Sequence, residues 1–396
     1  MPIHDVGYRK WLGDWTPLMG RWWIITEAGI KINLRNNWIK RTILLALLPT
    51  FVAAIGIFFV EKLLEQFNNT APVIFTLETG EDVARATRLE RFNLIDVDND
   101  GLISGSEADR VNLHAELRGM DANLDGYVDR LEFMLGTPEL YMNYLYFRSF
   151  AYMFPNFEAV DLALQSGNPR QLRTAMWSWI LLNFFRSFQG IGVVLLVGLI
   201  VPPLIAQDVR SRAFQLYYAR PITRKEYIVG KLGIPAFFVF LITAAPAIVV
   251  YCFGVMMSPD LSVLLDTWQV PLRIVVASIV LILPTCSLAL MFSSLTFETR
   301  FATFAWFAVW GLGIVAWSII EVTQFSMMDP EISSVERQNS KWAFVSLFNI
   351  FYRVQGWIFG METRTDFSLL PFGILVVITV VSIIVLSRRV AATLRA

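Results

Sequence analysis

The sequence predicts a mainly α-helical, polytopic membrane protein. It is expected to have six transmembrane helices and a helical domain inserted between the first and the second. Three observations carry that expectation. The 396 residues are 55% hydrophobic and only 17% charged, whereas a soluble globular chain is about a quarter charged. Six stretches approach the ~20 mostly apolar residues that a helix needs to cross a bilayer core, in line with a mean hydropathy of +0.53. The formal net charge of zero hides a segregation: residues 62–176 carry 10 Lys/Arg and 18 Asp/Glu, a net of −8, and the remainder carries +8.

The apolar runs lie at 42–60, 183–205, 232–256, 274–292, 301–320 and 369–386. The first does not read as a signal peptide, because some forty residues precede it and no small-residue cleavage site follows. Prolines 49, 202, 203, 235, 246 and 284 sit in or at the ends of these runs. Membrane helices tolerate them where neighbours satisfy the freed carbonyls.

Basic residues orient the bundle. Arg9, Lys10, Arg21, Lys31, Arg35, Lys40 and Arg41 precede the first run, and Arg388, Arg389 and Arg395 follow the last. The 206–231 connection holds Arg210, Arg212, Arg220, Arg224, Lys225 and Lys231, while 257–272 holds no Lys or Arg. Six crossings in the cell (inner) membrane, with both termini cytoplasmic, put every basic segment inside. The expected organisation is then a cytoplasmic N-terminal segment 1–41, a first transmembrane helix 42–61, an extracytoplasmic domain 62–176, and transmembrane helices two to six in 177–396. Trp11, Trp15, Trp22, Trp23 and Trp38 mark the N-terminal segment as an interfacial elbow helix resting on membrane lipid. The aromatic stretch 342–359 contains Asn349, Arg353 and Gln355. It is expected to lie in the outer interface rather than to cross.

Two twelve-residue windows in the acidic domain match the EF-hand pattern. They are DVDNDGLISGSE at 96–107 and DANLDGYVDRLE at 121–132. Hard Ca²⁺ takes six to eight oxygens, and a tight loop must fold around it to present them. Asp96, Asp98 and Asp100 fill positions 1, 3 and 5 of the first loop. The Leu102 carbonyl falls at position 7, Ser104 at position 9 and Glu107 at position 12. Asp121, Asn123, Asp125, the Tyr127 carbonyl, Asp129 and Glu132 repeat the set in the second. Gly101 and Gly126 stand at position 6, where the chain turns sharply. Two Ca²⁺ sites are expected, and Ile103 and Val128 can pair the loops through a short bridge.

The connection VPPLIAQDVRSRAFQLYYARPITRKEYIVGKL, residues 201–232, carries the functional clue. Residues 206–219 can form an amphipathic helix, with Phe214, Leu216, Tyr217 and Tyr218 as apolar anchors and Arg210 and Arg212 exposed. Pro221 ends it. Thr223 followed three residues later by Glu226 reads as a capping box for the next helix. This stretch resembles the first cytoplasmic connection of type-2 ABC transporter permeases, in particular the copper-processing branch. The matching residues are Asp208, Arg212, Leu216, Tyr218, Arg220, Pro221, Ile222, Thr223, Arg224, Glu226, Tyr227, Gly230 and Lys231. The resemblance implies a permease subunit whose 206–219 helix docks on a separate ABC-type ATPase, with Asp208, Arg210, Arg212, Phe214, Tyr217 and Tyr218 as coupling residues. It also implies a second permease copy, the same or different. The acidic insertion departs from the usual family pattern.

Other classes are disfavoured. No GxxxxGK[ST] sequence occurs, so ATP hydrolysis belongs to another subunit. His4 and His114 are the only histidines, too few for a His-rich metal or Ser-His-Asp centre. Cys252 and Cys286 fall in apolar runs and build no disulfide framework. The absence of net positive charge disfavours nucleic-acid binding. The alternative function is a non-transporting, calcium-binding membrane receptor or scaffold.

Overall fold

The computed structural model describes residues 20–73, 88–110, 118–151, 156–166, 168–188, 192–211, 213, 222–258, 263–320, 322–323, 344–361 and 369–392. Five helices are long and apolar enough to cross a membrane: Asn37–Glu65, Arg224–Met257, Gln269–Leu295, Thr299–Ile320 and Leu370–Ala391. Each coincides with one of the expected runs, the last starting one residue later than expected.

The remaining run, 183–205, is not one continuous helix. Its residues fall in Pro169–Phe188, Val194–Ile200 and Pro202–Arg210, and 189–191 lie outside the described residues. The second division has a local cause. Pro202 and Pro203 have no N–H to donate, and their rings crowd the preceding turn. Ser293, fully buried on Gln269–Leu295, satisfies the exposed groups from across the bundle. Its hydroxyl donates to the Pro202 carbonyl at 2.8 Å and accepts from the Ile205 and Ala206 N–H groups at 3.1 Å each.

Proline also divides the 224–257 span. Helix Arg224–Ile242 stops at Thr243 (φ −115°, ψ −73°) and Ala244–Met257 continues. Pro246 cannot donate to the Ile242 carbonyl one turn back.

Gln269–Leu295 is the hub of the bundle. Of its most apolar stretch 56% is buried, against 17% for Thr299–Ile320 and 22% for the first and last spans. The outer spans therefore present apolar faces outward, as helices in lipid do.

Helix Arg21–Leu34 precedes the first span and packs against Arg224–Ile242. Close approach is possible because Gly230 and Gly233 carry no side chain there. A Cβ on Gly230 would lie 2.8 Å from the Trp22 carbonyl oxygen, and one on Gly233 2.7 Å from Thr26 Oγ1. Thr26 Oγ1 donates to the Gly230 carbonyl at 2.9 Å. The elbow is thus held by protein packing, with Trp23 and Trp38 left exposed.

Leu347–Phe359 is the helix formed within the 342–359 stretch. Its 13 residues span about 20 Å at ~1.5 Å per residue, short of the ~30 Å core. It buries Ile350, Phe351, Val354, Gln355 and Phe359. Its neighbours are Pro169–Phe188, Gln269–Leu295, Thr299–Ile320 and Leu370–Ala392. An aromatic-rich composition reads the same whether the rings meet headgroups or other helices. Arg273 holds its C-terminus, donating from Nη1 to the Phe359 carbonyl at 2.7 Å and to Ser178 Oγ at 3.2 Å. A cation suits the negative end of a helix.

The inserted segment has its own small core of Phe92, Ile95, Ile103, Ala108, Met120, Val128 and Phe133. At its neck a buried ion pair joins the departing and returning chain. Arg173 Nε lies 3.1 Å from Glu61 Oε1, which also accepts from Trp177 Nε1 at 3.0 Å. A pair so deeply buried needs such hydrogen bonds to offset its desolvation.

Candidate functional site

The two acidic loops adopt the same backbone. Asn99 and Leu124, at position 4, have φ of 58° and 61°, and Gly101 and Gly126, at position 6, both have φ of 85°. An L side chain pays about 1 kcal/mol or more to sit in that left-handed region, so the repeat at position 4 is a specific feature of the loops. Strands Leu102–Ile103 and Val128–Asp129 join them as an antiparallel ladder with Ile103 opposite Val128.

Position 1 is bonded alike in both loops. Asp96 Oδ2 accepts from Gly101 N–H at 3.1 Å, and Asp121 Oδ2 from Gly126 N–H at 3.0 Å. The other oxygen of each, Oδ1, is buried with no hydrogen-bond partner among the described residues. Asp96, Asp98 and Glu107 bring carboxylate oxygens within 4.8 Å of one another. Asp100 Oδ1 and Asp125 Oδ1 accept from the Leu102 and Tyr127 N–H groups at 2.8 and 2.9 Å. Asn123 Oδ1 accepts from Asp125 N–H at 2.9 Å.

Position 12 closes both loops. Glu107 accepts from Val97 and Ser104 N–H at 2.9 Å each, and from Ser104 Oγ at 2.8 Å. Glu132 accepts from Ala122 at 3.1 Å and Asp129 at 2.9 Å. Asp129 caps helix Arg130–Leu135, with Glu132 completing a capping box. The two glutamates differ electrostatically. Hydrogen bonds, chiefly from Ser104, hold the Glu107 carboxyl below the usual carboxylate range, whereas burial pushes the Glu132 carboxyl above it. The donor set is all oxygen, which suits a hard cation.

The second constellation lies in the 201–232 connection. Thr223 and Glu226 form a capping box, with Glu226 Oε2 2.6 Å from Thr223 N–H. Asp208 sits on Pro202–Arg210, an extension of the divided span, where the sequence suggests the start of a separate lateral helix. Its carboxylate points inward: Oδ2 accepts from Tyr227 Oη at 2.7 Å and pairs with Lys231 Nζ at 2.7 Å. Lys231 Nζ also donates to the Leu204 carbonyl at 2.7 Å. Asp208 therefore braces two helices. Exposed Arg210 lies 3.3 Å from Glu298. Arg212, Phe214, Tyr217 and Tyr218 lie outside the described residues.

The helices on either side of this connection are held together: a capping box starts one, and a carboxylate, a phenol and an ammonium lock it to the preceding one. A family model described as ABC-2 family transporter protein matches residues 134–390, well over half the chain. The chain belongs to the ABC-2 transporter family. No curated protein and no solved structure matches it. It is therefore a multi-pass membrane permease subunit of an ABC transporter, and permeases of this family work with a separate ABC ATPase. The family match begins after Glu132, so the first span and both acidic loops of the permease fall outside it.

Two features of the site are absent from a motif reading. Glu61–Arg173 and Arg273–Phe359 link residues far apart in sequence, and neither residue type nor spacing announces them. Arg186, which the sequence shows as a lone charge in an apolar run, has its guanidinium 4.7 Å from the Tyr352 ring centre, a cation–π contact.

Proposed function

We propose that this permease is driven by an ABC ATPase docking on its 206–231 segment, and that its inserted domain holds two Ca²⁺ ions as structural staples. The charge distribution supports a topology with both termini cytoplasmic and 62–176 extracytoplasmic in the inner membrane. Likeness of 201–232 to copper-processing permeases supports a helix-and-turn docking element, and two permease copies with two ATPases would complete the transporter.

One observation carries the calcium reading. The position-1 oxygens Asp96 Oδ1 and Asp121 Oδ1 are buried and unbonded at equivalent places in both loops. A buried oxygen without a partner is costly, and a hard cation supplies what each lacks. Asp96, Asp98, Asp100, Leu102, Ser104 and Glu107 would hold one ion; Asp121, Asn123, Asp125, Tyr127, Asp129 and Glu132 the other. Bound Ca²⁺ supplies positive charge that halves the −8 excess of the domain. An extracellular module can bind with dissociation constants of roughly 10⁻⁴–10⁻³ M, enough to stay filled outside a cell.

Two experiments test this reading. Calorimetry on the full-length permease should show two Ca²⁺ per chain, lost in Glu107→Gln plus Glu132→Gln; absence of calcium heat rejects the staple. For coupling, Tyr217→Ala plus Tyr218→Ala should abolish co-purification of the ATPase and its stimulation by the permease. Unchanged stimulation rejects docking at this segment.

A further inference from the structure

The two loops have different structures behind them. Helix Gly105–Arg110 leaves the first loop and gives Ala108 to the small core of the insertion. Among the described residues it gives nothing to the large core of the bundle. Helix Arg130–Leu135 leaves the second loop and serves both cores. Phe133 meets Phe92 in the small one at 5.4 Å between ring centres. Leu135 is part of the large one, and Leu131 packs against it. The helix touches both Pro138–Ala151 and Glu158–Gln165.

Polar contacts extend this route. Tyr144 donates to Asp161, and Arg148 Nη2 lies 3.4 Å from the same carboxylate. Asn156, held at φ 66°, donates to the Met361 carbonyl at 3.1 Å and accepts from the Tyr352 hydroxyl. Tyr352 belongs to Leu347–Phe359, the short helix packed inside the bundle.

We infer that, among the described residues, the second loop is the one tied directly to the membrane bundle. Ca²⁺ there stiffens Arg130–Leu135, Pro138–Ala151, Asn156 and Leu347–Phe359 directly, while Ca²⁺ in the first loop reaches them only through the small core it shares with Val128 and Phe133. The inference rests on the calcium reading above. Its physical basis is the double use of Asp129 and Glu132. They stand at ligand positions 9 and 12, and they are also the N-cap and third residue of Arg130–Leu135. A cation that gathers them fixes the first turn of a helix whose far side is interlocked with the bundle, and close-packed interiors transmit such constraints.

The test is hydrogen–deuterium exchange on the full-length permease in lipid nanodiscs, with calcium or with chelator. At calcium ten times the dissociation constant, openings that release the ion become about tenfold rarer. Calcium should slow exchange by that factor in both loops, in 138–165 and in 347–361. Glu107→Gln should lose the effect chiefly within 88–110 and keep it at 347–361. Glu132→Gln should lose it from 121 onward, including 347–361. Asn156→Gly tolerates the left-handed backbone and removes both side-chain bonds; it should keep protection in the loops and lose it at 347–361. Calcium protection that ends at residue 135 in the wild type overturns the linkage alone. So does an identical pattern in the two glutamine variants, or an unchanged 347–361 response in Asn156→Gly. No calcium effect at either loop overturns the calcium reading and this inference with it.

Discussion

Lys231 Nζ lies 2.7 Å from Asp208 Oδ2, with 8% and 15% of the two side chains exposed. The pair joins the last turn of Pro202–Arg210 to the second turn of Arg224–Ile242, across the segment that the family resemblance assigns to ATPase docking. An ATPase docking here, as proposed above, would act on two helices already braced to each other. Removing one partner of a buried pair costs about 3–5 kcal/mol, because the other charge is left uncompensated. Asp208→Asn and Lys231→Met should each lower the thermal midpoint of the purified permease. The double substitution should recover more than half of the loss. A double variant no better than the worse single one would show that the pairing is not what the single changes disturb.

Gly230 offers a second check on the same corner. Its missing Cβ makes room for the Trp22 carbonyl at 2.8 Å, which is backbone and cannot rotate away. Overpacking of this kind costs about 1–3 kcal/mol. Gly311, inside Thr299–Ile320, has open space around it, with no atom within 4 Å of where a methyl would sit. Replacing a helical glycine with alanine there should add about 0.5–1 kcal/mol. Gly230→Ala should therefore lower, and Gly311→Ala raise, the melting temperature in the same detergent. Equal shifts would reject the elbow packing.

Features that depend on neighbours in sequence are legible without coordinates. The Thr223–Glu226 capping box, the five long apolar spans and the spacing of the acidic loops all follow from residue type at fixed offsets. Features that depend on partners across the fold are not. Asp208 has the look of an exposed helix residue until Tyr227 and Lys231 are placed beside it. Residues 183–205 have the hydropathy of one span, yet Pro202 and Pro203 divide it, and Ser293 makes that division tolerable from 87 to 91 residues away. Leu347–Phe359 carries an interfacial composition but is buried among other helices, because rings and lipid tails are nearly equivalent apolar neighbours.

Arg273 illustrates how a cation can be structural in a membrane bundle. Its guanidinium reaches the Phe359 carbonyl at 2.7 Å, Ser178 Oγ at 3.2 Å and Gln269 Oε1 at 3.1 Å. A planar fork makes three such bonds at once, and a lysine ammonium on a flexible stem does not reproduce that geometry. Arg273→Lys should cost about 1.5–3 kcal/mol, the range for hydrogen bonds to charged groups. It should also raise protease cleavage near Gly360. Wild-type cleavage rates in Arg273→Lys would show that one charge at the helix end is sufficient.

Glu132 and Glu107 should respond oppositely when calcium is withdrawn. Burial raises the Glu132 carboxyl above its usual range. A group shifted that way contributes stability below its unfolded pKa and loses it as pH rises through the folded pKa. Glu107 is held low, chiefly by Ser104. Its contribution is present above the unfolded pKa and lost as pH falls through the folded one. At neutral pH in chelator, Glu132 is thus the carboxylate that opposes folding, while Glu107 supports it. Glu132→Gln should raise the melting temperature in chelator and lower it in saturating calcium, because the same charge that strains the empty loop binds the ion in the filled one. Glu107→Gln should lower it in both. Six melting curves on the full-length permease, wild type and the two variants each in chelator and in calcium, decide the matter. A Glu132→Gln variant that melts below wild type in chelator would mean that its N–H partners already offset its burial, and the loop would then need no cation to be stable.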